Sequence, residues 1–185
     1  MPYPHWQYFL SIESDLDATS RFVEFSKDNL SVYSVEFAKI FLSSSSEVDV
    51  VAKALCAKID PTSTYKNINN YRTTITAKYS KFHTIEITLP RFTLSFKPWE
   101  AWGSSKNPGW WESYNDVKHH RGSSFHKANL KNTLLSVAGL FSLVLYYYQE
   151  DLGKADFFWP SFPKIMLTKG APDLLWVGDW HLPDF

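Results

Sequence analysis

The sequence predicts a mainly α fold, a helical bundle carrying a small β-hairpin insertion and a short C-terminal β or irregular segment. Three observations predict it. Apolar residues recur every three or four positions over most of 6–150. The period drops to two only around 84–96. Leu134 to Tyr148 is apolar on nearly every face, as the central helix of a bundle is. At 185 residues the chain is long enough for one domain with a full core.

A first helix is expected over 6–25, with Trp6, Phe9, Ile12, Leu16 and Phe22/Val23 inward and Asp28-Asn29 breaking it. The second runs from about Ser34 to Lys58, capped by Ser31 or Ser34 and ended by Asp60-Pro61. Its stripe is Phe37, Phe41, Val48, Val51, Leu55 and Ile59. Ser43 to Ser46 interrupt the stripe, which predicts a bend or a close helix contact. A short third helix is expected from Tyr65 to about Thr76. Residues 84–89 and 92–96 alternate as a hairpin around Pro90-Arg91, and 97–109 reads as a loop. Trp110 to His120 restarts a helix that Gly122 is placed to end. Ser123 or Ser124 is expected to cap the last long helix, from Phe125 to about Gln149. Ile165–Leu167 and Leu174–Val177 are two short apolar runs suited to a second hairpin, within a segment (155–185) that covers the bundle.

Composition excludes several function classes. Nineteen basic residues balance nineteen acidic ones, which argues against a DNA-coating protein. The single Cys56 cannot form an intramolecular disulfide and reads as a small buried hydrophobe in a reducing compartment. The six histidines lack metal-ligand spacing, so no metal and no cofactor is expected. No signal peptide is read at the N-terminus, and the apolar run of about 15 residues falls short of the ~20 a bilayer requires. The expected location is cytoplasmic, with no membrane partner.

Residues 110–130 concentrate the chemistry. Lys118, His119, His120, Arg121, His126 and Lys127 fall within ten residues at a predicted helix-to-helix corner, beside Trp110 and Trp111. Arg121 and His126 stand as R-x(4)-H. With the last helix starting near Ser123, both are expected at its N-terminus, where free backbone N–H groups and the positive dipole end favour a phosphate. An arginine fork would hold phosphate oxygens, and a histidine would move the proton of a ribose 2′-hydroxyl. Asn115, Lys118, Trp111 and Lys127 are the candidate substrate-binding residues. His119 stands as an alternative to His126. The same residues also fit a polar lock, in which Asn115, Lys118 and His119 bond the interhelix turn. Glu47, on the second helix, is a candidate partner for Arg121 or Lys118, and Asp49–Lys53 is spaced as an i,i+4 pair. The tryptophan cluster reads more readily as core wall than as a base-stacking platform.

A helical bundle whose last long helix opens with Arg121-x(4)-His126 resembles the HEPN superfamily of prokaryotic toxin and defence proteins. The resemblance covers roughly 6–150 as architecture and, as motif, Arg121 and His126. It implies a metal-independent endoribonuclease or RNA-binding protein, with the site shared across a homodimer. Two other functions remain open: a non-catalytic scaffold whose corner is structural, and a nucleotide-sensing module that uses the same cations.

Overall fold

The computed structural model describes residues 3–152 and 161–169. Helix α1 spans Pro4–Thr19, α2 Val35–Ile59, α3 Ile68–Lys78, α4 Gly109–His119, α5 Arg121–Ser124 and α6 Leu130–Leu152. Strands β1 (Ile87–Leu89), β2 (Leu94–Phe96) and β3 (Leu167–Thr168) form an antiparallel sheet in the order β2-β1-β3. The mainly α bundle with a hairpin is therefore what the chain forms. Of the apolar run Ile165–Leu167 only Leu167 enters a strand, which with Thr168 forms an edge on β1, pairing Thr88 with Leu167 and Ile87 with Thr168. Leu174–Val177 lie outside the described residues.

Helix α6 is the axis of the molecule. Every residue from Val137 to Tyr146 that carries a hydrophobic side chain is buried. Leu130–Asp151 is apolar and long enough to cross a bilayer, yet 78% of its most apolar window is buried within the bundle, as for a core helix. Its closest partner is α2. The serines that interrupt the α2 stripe mark that approach: Ser44 Oγ lies 2.7 Å from Ser136 Oγ with both residues fully buried. Small side chains let the two backbones come close, and the paired hydroxyls satisfy each other where water is absent. Phe9 of α1 stacks on Phe141 at 4.8 Å with rings nearly parallel. At the N-terminal end of α1, His5 Nδ1 meets Glu47 Oε1 at 2.6 Å, so Glu47 joins α1 to α2 and pairs with neither Arg121 nor Lys118. Asp49 instead accepts the Tyr71 hydroxyl, 3.1 Å away on α3.

The tryptophans are walls. Trp99, Trp102 and Trp110 are buried, and the indole N–H groups of Trp99 and Trp110 donate to Gly139 O and Pro98 O at 3.2 and 2.9 Å. Gly139 permits this fit, because a Cβ there would sit 3.1 Å from the Trp110 ring. Cys56 is likewise buried, and burial pushes its thiol up to about 12.

Two helix boundaries lie five or more residues from expectation, and α3 starts at Ile68, three residues after Tyr65. Helix α1 stops at Thr19, where the hydroxyls of Thr19 and Ser20 bond back to Leu16 O and Asp17 O at 2.6 and 2.7 Å. Such local bonds compete with continued helix, and Phe22 beyond them is 84% exposed. The last helix begins at Leu130, five residues later than Phe125. Its cap is Asn129, whose Oδ1 accepts from Asn132 N at 3.0 Å. The first N–H groups of α6 are taken by distant carbonyls: Leu130 N donates to Val32 O at 2.8 Å and Lys131 N to Leu30 O at 3.0 Å. That pairing holds the preceding residues out of the helix, as a turn at Phe125–Lys127.

Candidate functional site

Helix α4 buries Trp110, Trp111, Tyr114 and Val117 and turns its other side to solvent. Asn115, Lys118 and His119 are exposed. Asn115 stands four residues after the rim residue Trp111, and Lys118 and His119 stand three and four after Asn115, so they share one side of the helix. Trp111, Asn115 and Lys118 line one side of a groove of about 360 Å³. The opposite side comes from α2 and the start of α3, with Ser46, Asp49, Lys66, Asn67 and Ile68. Three of the four expected substrate-binding residues are thus brought together. Lys118 extends over the Tyr114 ring at 5.4 Å, while Asn115 Nδ2 donates to Trp111 O at 3.0 Å. The groove carries two lysines against Asp49, which the Tyr71 hydroxyl holds.

Lys127 is placed differently. Its ammonium meets Asp116 Oδ2 at 2.6 Å, and its carbonyl accepts Asn132 Nδ2 at 2.8 Å. Lys127 therefore fastens the 125–127 turn to α4 and to α6, and the hydrogen bond from its ammonium, helped by its charge, holds the Asp116 carboxyl below the usual carboxylate range. The lock expected from Asn115, Lys118 and His119 is not what joins the turn: among the described residues the ion pair there is Asp116–Lys127, and Asn115 bonds within its own helix.

Arg121 opens the four-residue α5 and His126 lies in the following turn. His126 is not in the first turn of α6, so the dipole of the long helix does not act on it as the sequence suggested. Arg121, His126 and His119 are all exposed. Among the described residues their side chains form no ion pair. Gly122 does not end α4, whose C-cap is His120. A Cβ at Gly122 would meet nothing within 4 Å. Trp111 lines the groove but is almost fully buried, which leaves little ring surface for stacking.

The far wall escaped the sequence reading. Lys66 and Asn67 precede a helix some forty residues before α4, and only the packing of α2 between α3 and α4 makes them neighbours of Lys118. Asn67 carried a local signal, since it caps α3 by accepting from Asn69 N and Asn70 N at 3.0 and 3.2 Å. No family model matches the chain, and neither the curated proteins nor the solved structures give a significant match.

Proposed function

We propose that this protein binds RNA along the exposed strip of α4 and cleaves it without a metal at the α4–α5 corner. The observation that carries the reading is the strip itself: Trp111, Asn115 and Lys118 share a groove with Lys66, and His119 and Arg121 follow exposed at the end of α4, where among the described residues neither forms an ion pair. Lysines and amide side chains lining a groove suit a phosphate backbone, which rewards local cations whatever the net charge. In the cleavage step Arg121 holds the non-bridging oxygens. One histidine, His126 or His119, takes the proton of the 2′-hydroxyl as that oxygen attacks phosphorus, and the other returns a proton to the departing 5′-oxygen. The solvent exposure of Arg121 and His126 accords with a site completed by a second copy of the chain, as the HEPN resemblance implies.

Incubation of the protein with mixed RNA in EDTA is expected to give cleavage that Arg121→Ala abolishes. Retained cleavage in Arg121→Ala removes the catalytic assignment, and failure of the wild type to retain RNA in a binding assay removes the reading altogether. A nucleotide-sensing module would instead show thermal stabilisation by a mononucleotide.

A further inference from the structure

Glu13 lies on α1 and is fully buried. Among the described residues no cation pairs with it. Its carboxylate accepts three consecutive main-chain N–H groups from the segment 161–169: Lys164 N on Oε2 at 2.8 Å, and Ile165 N and Met166 N on Oε1 at 2.8 and 3.1 Å. Successive amides converging in this way form an anion-binding nest, and here the anion is a side chain of the same chain. Beyond these bonds and the pairing with β1, Thr88 Oγ1 donates to Leu167 O at 3.3 Å and Lys169 Nζ pairs with Glu86 Oε2 at 3.0 Å. Trp6 Nε1 donates to Ser161 O at 3.0 Å, Lys164 Nζ to Ser14 Oγ at 2.9 Å, and Lys169 N to Glu86 O at 2.9 Å. Below them Ile165, Met166 and Leu167 are buried. Strand β3 contributes only two paired positions to the sheet.

In an ordinary strand, adjacent amides bond to different carbonyls, and no single side chain controls them. Here one carboxylate satisfies three, and losing it would orphan two buried donors, on Ile165 and Met166, together with the part-buried Lys164 N–H. We infer that the stretch Lys164 to Lys169, three amides on Glu13 followed by the pairing with β1, is a strap that docks and undocks as a unit on the α1–β1 face, with Glu13 as its latch. Undocking empties the seat of Met166 and opens the edge of β1. It leaves the α2–α6 contact untouched, since the strap makes none of it.

Hydrogen exchange followed amide by amide tests this. In the wild type, Lys164, Ile165 and Met166 should exchange together, at least tenfold faster than amides at the centre of α6, as for a sub-global opening. Glu13→Ala should accelerate those three and Lys169, whose amide bonds Glu86 O, by a further tenfold or more while α6 keeps its rates. Glu13→Gln retains an oxygen for Ile165 and Met166 but turns an NH₂ toward Lys164 N–H, so Lys164 should lose protection first. The proposal is overturned if strap and α6 amides exchange at one common rate in the wild type. It is equally overturned if Glu13→Ala leaves the strap unchanged, or if it fails to fold, because the strap would then be one cooperative unit with the bundle.

Discussion

The α2–α6 seam and the α4–α5 corner are both contacts between helices, and both are built with polar residues. In the seam Ser44, Ser136 and Thr133 are fully buried, and each hydroxyl has a partner across or along the helices. At the corner Lys118, His119, Arg121 and His126 face water, and among the described residues Asp116–Lys127 is the ion pair that fastens it. Polar groups that are buried and satisfied serve the fold. Charged groups left exposed beside a groove cost the fold little to keep and are available to a ligand.

Mutations should divide along the same line. The largest effect is expected from Phe141→Ala, which removes the ring stacked on Phe9 and leaves a cavity beside the seam, at about 3–5 kcal/mol of stability in urea unfolding. Ser136→Val should cost about 1–3 kcal/mol, because it crowds a close helix contact and deprives Ser44 of its partner. An effect below ~0.5 kcal/mol would mean that the seam is loosely packed. Asn129→Ala sits between the two regions and should cost about 1 kcal/mol as a lost cap. If α6 instead began at Phe125, this substitution would be neutral and Ser124→Ala would carry the cost. Arg121→Ala, His119→Ala and His126→Ala should each change stability by less than ~0.5 kcal/mol. A drop of several degrees in melting temperature for any of them would turn the corner into a structural lock.

Glu13 supplies a pH test. Burial, partly offset by its three amide donors and reinforced by the Asp17 charge one turn along, holds its carboxyl above the ordinary 4.5. Two cations lie nearby but bond elsewhere: Lys164 to Ser14, and Arg91 to Asp17 at 3.4 Å. A raised folded-state value means that the stability contributed by this group is fully present below the unfolded value and is lost as pH rises through the folded one. The wild type should therefore gain stability relative to Glu13→Gln as pH falls from 7 toward 4.5. A relative loss over that interval would contradict the burial argument.

Much of the architecture was legible because it repeats. Phe37, Phe41, Val48, Val51 and Leu55 mark one face of α2 at helical spacing, and all are buried. The alternation at 84–96 fell where β1 and β2 lie. The start of α6 was not legible. Ser123, Ser124 and Asn129 are all acceptable caps by local chemistry, and the choice among them was made by carbonyls of Leu30 and Val32, about a hundred residues away. At the site, the Trp111–Asn115–Lys118 strip follows from the period of one helix. Lys66 and Asn67 could not be assigned to it, because no local pattern records which helices α2 brings together.

The most direct test of RNA binding on α4 compares the wild type with a Lys118→Ala/Arg121→Ala double variant, using fluorescence anisotropy on a labelled single-stranded RNA across a salt series. The wild type should bind with an affinity that falls as salt rises. The double variant should bind more weakly, with a log–log salt slope shallower by about 1.4 if each side chain neutralises one phosphate, and with an unchanged melting temperature. Equal affinity and equal slope in the two proteins would contradict the assignment of the α4 strip as the RNA-binding face.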